Sequence, residues 1–105
     1  MANICGNKFQ IYSENPETIK AFEAKLKNLF DDYFEGYVEY CSEECLEGWF
    51  DSKWVFPTEK FEELTENNQD DTLEIRCLSE EYGCGYVAMN IYKNLEWWDE
   101  QTFEL

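Results

Sequence analysis

NKFQIYS, residues 7–13, runs into NPETIKAFEAKLKNLFD, residues 15–31, and the hydrophobic period changes from two to about three and a half between them. In the first stretch Phe9 and Ile11 alternate with Lys8, Gln10 and Tyr12. Successive side chains on a strand point to opposite faces, so this segment is a strand buried on one side. In the second, Ile19, Phe22, Leu26, Leu29 and Phe30 recur at helical spacing and predict one amphipathic helix through about Asp31. Ser13 or Asn15 can cap it, Pro16 suits its first turn, and Glu17 faces the positive end of the helix dipole.

Working outward, Tyr37–Cys41 (YVEYC) predicts a second strand and Trp49–Phe56 (WFDSKWVF) a third. On the third, Phe50, Trp54 and Phe56 face one side, and Trp49, Asp51, Lys53 and Val55 the other. Pro57-Thr58 opens a short helix, TEKFEEL, which Thr58 is expected to cap and which turns Phe61 and Leu64 inward. After a polar loop at Asn67–Asp71, Thr72–Leu78 alternates with Leu73, Ile75 and Cys77 inside. Gly83 and Gly85 mark a turn into Tyr86–Lys93, where Val87, Met89 and Ile91 are expected inside and Tyr86 and Tyr92, with Tyr12, on the exposed face. Glu96–Leu105 reads as a strand or an ordered tail. The order is βαββαββ in a single domain over residues 1–105. Clean alternation argues a mostly antiparallel sheet with two helices on one face, a two-layer α+β fold of ferredoxin-like character.

Three pieces of the chain carry a family resemblance: the opening MANICGN with its strand and Pro-led helix, the SKW at Ser52-Lys53-Trp54, and EEYGCGYVAMNIY from Glu80 to Tyr92. Together they resemble the YubB-type ferredoxin-like family, which is carried on bacterial plasmids and phages. The resemblance implies a mobile-element origin and the same fold, and it supplies no catalytic residues.

Charge excludes more functions than any motif. Residues 1–30 hold Lys8, Lys20, Lys25 and Lys27 against Glu14, Glu17 and Glu23, a balance of +1, whereas residues 31–105 hold 21 acids against four bases, a balance of −17. Such a body repels nucleic acid, anionic membrane and acidic ligands, and attracts basic surfaces. With 18% aromatic residues it nevertheless folds. No apolar run approaches the roughly 18 residues of a membrane span, and the first residues lack the basic and apolar regions of a secretory signal. Five cysteines fit no paired disulfide framework, so a reduced, cytoplasmic protein is expected.

Catalytic and cofactor chemistry finds few candidates. Without histidine, Cys–His pairs, Ser–His–Asp triads and His-bearing metal sites are impossible. Gly83-Cys84-Gly85 lies beside Glu80 and Glu81, which would repel a phosphate. Carboxylates are too dense for any pair to signal acid–base catalysis by spacing. Asp70, Asp71, Asp31 and Asp32 do not follow the calcium-loop pattern. Cys41, Cys45, Cys77 and Cys84 lack two compact knuckles for zinc, and neighbouring glutamates keep thiols protonated. No enzyme activity, metal or cofactor is expected.

A binding role remains. Glu59, Glu62, Glu63 and Glu66 have helical spacing, with about 5–6 Å between neighbours. Glu39, Glu43, Glu44, Glu47 and Asp51 cluster around the middle strands, where i and i+2 carboxylates are about 6.8 Å apart. Both spacings approximate a row of phosphates. Trp97 and Trp98, flanked by acids, cannot both point inward from one strand and offer an apolar anchor. The expected partner is a basic nucleic-acid-binding protein, such as a host defence nuclease inhibited in the manner of an anti-CRISPR or anti-restriction DNA mimic. The alternative is an acidic interaction module whose exposed aromatics bind another basic protein or form a homodimer.

Overall fold

The computed structural model describes residues 4–32, 34–53, 55–81, 83 and 85–102, with backbone alone for 99–102. Their elements follow the order β1 (Ile4–Tyr12), α1 (Pro16–Asp32), β2 (Gly36–Cys41), β3 (Cys45–Lys53), α2 (Thr58–Thr65), β4 (Glu74–Glu81), β5 (Tyr86–Lys93) and β6 (Glu96–Thr102). The strands form one six-stranded sheet in the order β2-β3-β1-β4-β5-β6, every neighbouring pair antiparallel. The fold is therefore α+β, and the Glu96 segment is a sixth strand beyond the five of the βαββαββ reading. It joins β5 through Asn94 and Leu95, both with positive φ (53° and 67°), the geometry of a tight hairpin turn.

Both helices share one core with the sheet's inner face. Ile19, Phe22, Leu26 and Leu29 of α1 and Phe61 of α2 are buried with Phe9, Ile11, Leu46, Phe50, Ile75 and Tyr92. A chain of aromatic contacts with centroids 5.0–6.3 Å apart runs from Phe9, Phe30 and Phe34 through Phe50, Phe61 and Phe56 to Trp97 and Tyr92. Burying even one such ring stabilises by about 1.5–3 kcal/mol, so this chain is the main source of cohesion between the two layers. Asn15 is the cap of α1: its Oδ1 accepts the Glu17 amide at 3.0 Å. Ser13 instead accepts the Asn15 amide at 2.9 Å and ties the connection to the rest of the sheet end.

Four expectations need correction. The third strand begins at Cys45 and ends at Lys53, so Val55 and Phe56 follow it; Trp54 lies outside the described residues. Thr58 is inside α2, whose cap position is Pro57 with no side-chain cap bond. On β5 the faces are reversed: Ala88, Asn90 and Tyr92 are buried, while Val87, Met89 and Ile91 are only half-buried on the outer face. Tyr92 pairs with the buried Ile75, and Tyr86 with the buried Glu81, so neither tyrosine belongs to the exposed face. Register with β4 sets this phase, because directly paired residues share a face.

A buried polar cluster occupies the inner face of β1, β3 and β4. Asn7 Nδ2 donates to Cys5 O, Phe50 O and Ser52 Oγ at 3.1, 3.2 and 2.9 Å, and Ser79 Oγ donates to Asn7 Oδ1 at 2.6 Å. Each polar atom finds a partner, which makes the cluster a device for strand registration.

Candidate functional site

The sequence-predicted site residues separate onto four places. On α2, Phe61 and Thr65 are buried and Leu64 is half-buried, so the inward stripe at i, i+3 and i+4 leaves Glu59, Glu62, Glu63 and Glu66 outward and exposed. The four span about 10 Å at 1.5 Å rise per residue. No ion pair among the described residues uses them. This stripe is a single-signed surface presented by a short, well-anchored helix.

The second place is the sheet end that holds the β2–β3 turn. Glu43 and Glu44 are exposed there, and the Ser13 amide donates to Glu44 O at 3.0 Å. Ser13, fully buried, also donates through its hydroxyl to Asp70 Oδ2. Asp70 Oδ1 accepts the Thr72 amide at 2.9 Å and the Thr72 hydroxyl at 2.6 Å, and Thr72 Oγ1 accepts the Glu14 amide at 3.1 Å. Partial burial pushes the Asp70 pKa up, but hydrogen bonds from Ser13, Thr72 and Thr18 outweigh it and hold the carboxyl at about 2. Partial desolvation and the charges of Glu14, Glu44 and Glu74 raise the Tyr12 pKa. Sequence reading grouped Glu43 and Glu44 with Glu39, Glu47 and Asp51 around the middle strands and gave Glu14 and Asp70 no place beside them. Only pairing of the β1–α1 connection with the 67–72 loop brings them together.

Glu39, Glu47 and Asp51 diverge from that end. Glu39 lies at the register shift between Val38 and Tyr40 and is exposed. Glu47 is half-buried on the outer sheet face, accepting from Gln10 Nε2 at 3.2 Å. Asp51 lines a cleft of about 470 Å³ with Phe34, Glu35, Lys53, Phe56 and Lys60. Burial, and then the nearby Glu35 charge, raise its pKa. Lys53 and Lys60 line the same cleft, so its two carboxylates face two cations of this chain and the cleft carries no excess of negative charge.

Trp97 and Trp98 part company as the strand geometry requires. Trp97 pairs with Tyr92 on the inner face, packs against Phe56 and Phe61, and donates from Nε1 to Thr65 Oγ1 at 2.9 Å. It is a partly buried residue packed against the core, and it helps fix α2. Trp98 pairs with Ile91 on the outer face and is 58% exposed.

The cysteines are dispersed. Cys77 is buried in β4, where desolvation pushes its pKa up to about 12; burial also raises Cys5, assisted by Glu81 and Asp51. Cys41 is exposed at the end of β2 and Cys45 opens β3, both with raised pKa values, chiefly from desolvation. Cys84 lies outside the described residues. Among the described residues no three acidic, cysteine or histidine side chains gather as metal ligands, and no helix is long and apolar enough to cross a membrane. Comparison with family models, curated proteins and solved structures finds no match to this chain.

Proposed function

We propose that this chain is a small acidic inhibitor of phage or plasmid type that acts in the host cytoplasm without catalysis. It would occupy the basic nucleic-acid groove of a host defence nuclease, in the manner of an anti-CRISPR or anti-restriction DNA mimic. One observation carries the reading: Glu59, Glu62, Glu63 and Glu66 form an exposed stripe on a body whose residues 31–105 balance at −17. Phosphates along one DNA strand advance about 3.4 Å per residue of axis, so four carboxylates over about 10 Å offer a comparable charge density to Lys and Arg side chains. The acidic sheet end of Glu14, Glu43, Glu44 and Asp70 extends the field that steers a basic partner. The order β2-β3-β1-β4 around α1 and α2 supports a ferredoxin-like core, with β5 and β6 added at one edge.

The test is capture of bacterial partners on tagged protein at low salt, with parallel elution by duplex DNA and by salt. A nuclease or other nucleic-acid-binding protein released by both supports the reading. The triple variant Glu59→Lys, Glu62→Lys, Glu63→Lys should lower that capture at least about tenfold, since like charges would then face the groove. Undiminished capture by the variant removes α2 from the mechanism.

A further inference from the structure

The sheet face turned away from the helices has a different character from the rest of the molecule. Across its strands it presents Tyr37, Trp49, Leu78, Met89, Ile91 and Trp98, aligned by the registers Tyr37↔Trp49, Leu78↔Met89 and Ile91↔Trp98. Tyr37 is 50%, Leu78 36% and Trp98 58% exposed. Among the described residues no helix covers this face. Lys8, Lys53, Arg76 and Lys93, four of the chain's eight bases, also point to it by register. They mix with Glu47, Asp51, Glu74, Glu80 and Glu96, and Glu74 pairs with both Arg76 (4.0 Å) and Lys93 (3.7 Å). The face is thus close to neutral on a chain of net charge −16. A strongly basic partner gains little here, whereas a second polyanionic copy meets least repulsion here.

Shape points the same way. Gly6 interrupts the outer row between Asp51 and Glu80. The gap is the floor of a groove of about 450 Å³ walled by Ile4, Trp49 and Leu78. Six strands about 4.8 Å apart and about seven residues long give a footprint on the order of 550 Å² per copy. A pair would bury about 1,100 Å², just above the roughly 1,000 Å² a specific interface needs.

We propose that this outer sheet face is an isologous interface between two copies of the chain, packed sheet on sheet with an apolar side chain of each copy seated in the other's Gly6 groove. Two-fold symmetry lets the mixed charges of one copy meet opposite charges of the other. The −16 bodies still repel at long range, so dimerisation strengthens as salt screens them. This is opposite in sign to the salt response of a basic partner, so the two readings fail separately.

Sedimentation velocity of the full chain, from about 10 µM to about 1 mM and at about 0.05 and about 0.5 M salt, tests it directly. The expected result is a species of twice the 12.6 kDa chain mass whose dissociation constant tightens at least about tenfold at the higher salt. Leu78→Glu should return it to monomer. Gly6→Val is the fold-safe variant, because a Cβ at Gly6 meets only Glu80 O at 4.0 Å. It should fill the groove and weaken the dimer at least about tenfold while leaving thermal stability equal or higher. A monomer throughout this range, or a dimer that both substitutions leave intact, overturns the proposal.

Discussion

Replacing Asp70 by Asn tests how the acidic end is held. In the native chain the Asp70 carboxylate accepts from the Ser13 and Thr72 hydroxyls and the Thr72 amide, joining the β1–α1 connection to the loop before β4. Its pKa falls from 3.8 to about 2 because those donors favour the charged form more than partial burial opposes it. At about 1.4 kcal/mol per unit this is roughly 2.5 kcal/mol, and screening at a part-buried site reduces it to about 1.5 kcal/mol. The sign follows from a depressed acid. The stabilisation is complete above the unfolded pKa near 3.8 and is lost as pH falls through the folded value near 2. Urea unfolding should therefore show Asp70→Asn about 1 M lower in midpoint at pH 7, for a slope of about 1.5 kcal/mol/M. At pH of about 2.5 the gap should shrink to about a third, since the unfolded carboxylate is then almost wholly protonated while the native one is only partly so, and most of the difference in proton binding has been spent. Comparing the two proteins at each pH cancels the titration of the other carboxylates to first order. An equal gap at both pH values, or none at pH 7, would refute the assignment of the low pKa to this network.

Other perturbations follow from particular positions. Gly48→Ala should destabilise by about 1–3 kcal/mol in urea, because its methyl would strike Tyr37 O and the Phe9 ring. Leu95→Gly should raise stability by about 1 kcal/mol by calorimetry, since Leu95 holds φ 67° in an exposed turn where glycine is unstrained. Asp51→Asn should raise the melting temperature at pH 7 yet weaken capture of a basic partner. A raised acid pKa means the charged form opposes folding, an effect relieved as pH falls through that pKa.

The helix at Pro16–Asp32 was legible because a single face repeats over four turns, and α2 because Phe61 and Leu64 bracket an otherwise polar segment. The α2 acid stripe was legible for the same reason, since local helical geometry alone places Glu59, Glu62, Glu63 and Glu66 outward. β5 was misread because both of its faces carry apolar or aromatic residues, so alternation has no sign of its own. The acidic end was only half legible. Glu14 and Asp70 are 56 positions apart, and no local pattern announces that Ser13 and Thr72 bridge them.

Sequence by itself determined the −17 balance beyond residue 30, the alternation of most strands, both helices and the lack of histidine chemistry. These depend on composition or on contacts within one element. Tertiary structure alone decided which face β5 buries, that Trp97 packs against the core while Trp98 is at the surface, and that cations gather on the outer sheet face. Those depend on inter-strand register, where a shift of one residue exchanges the two faces and no single segment records the choice.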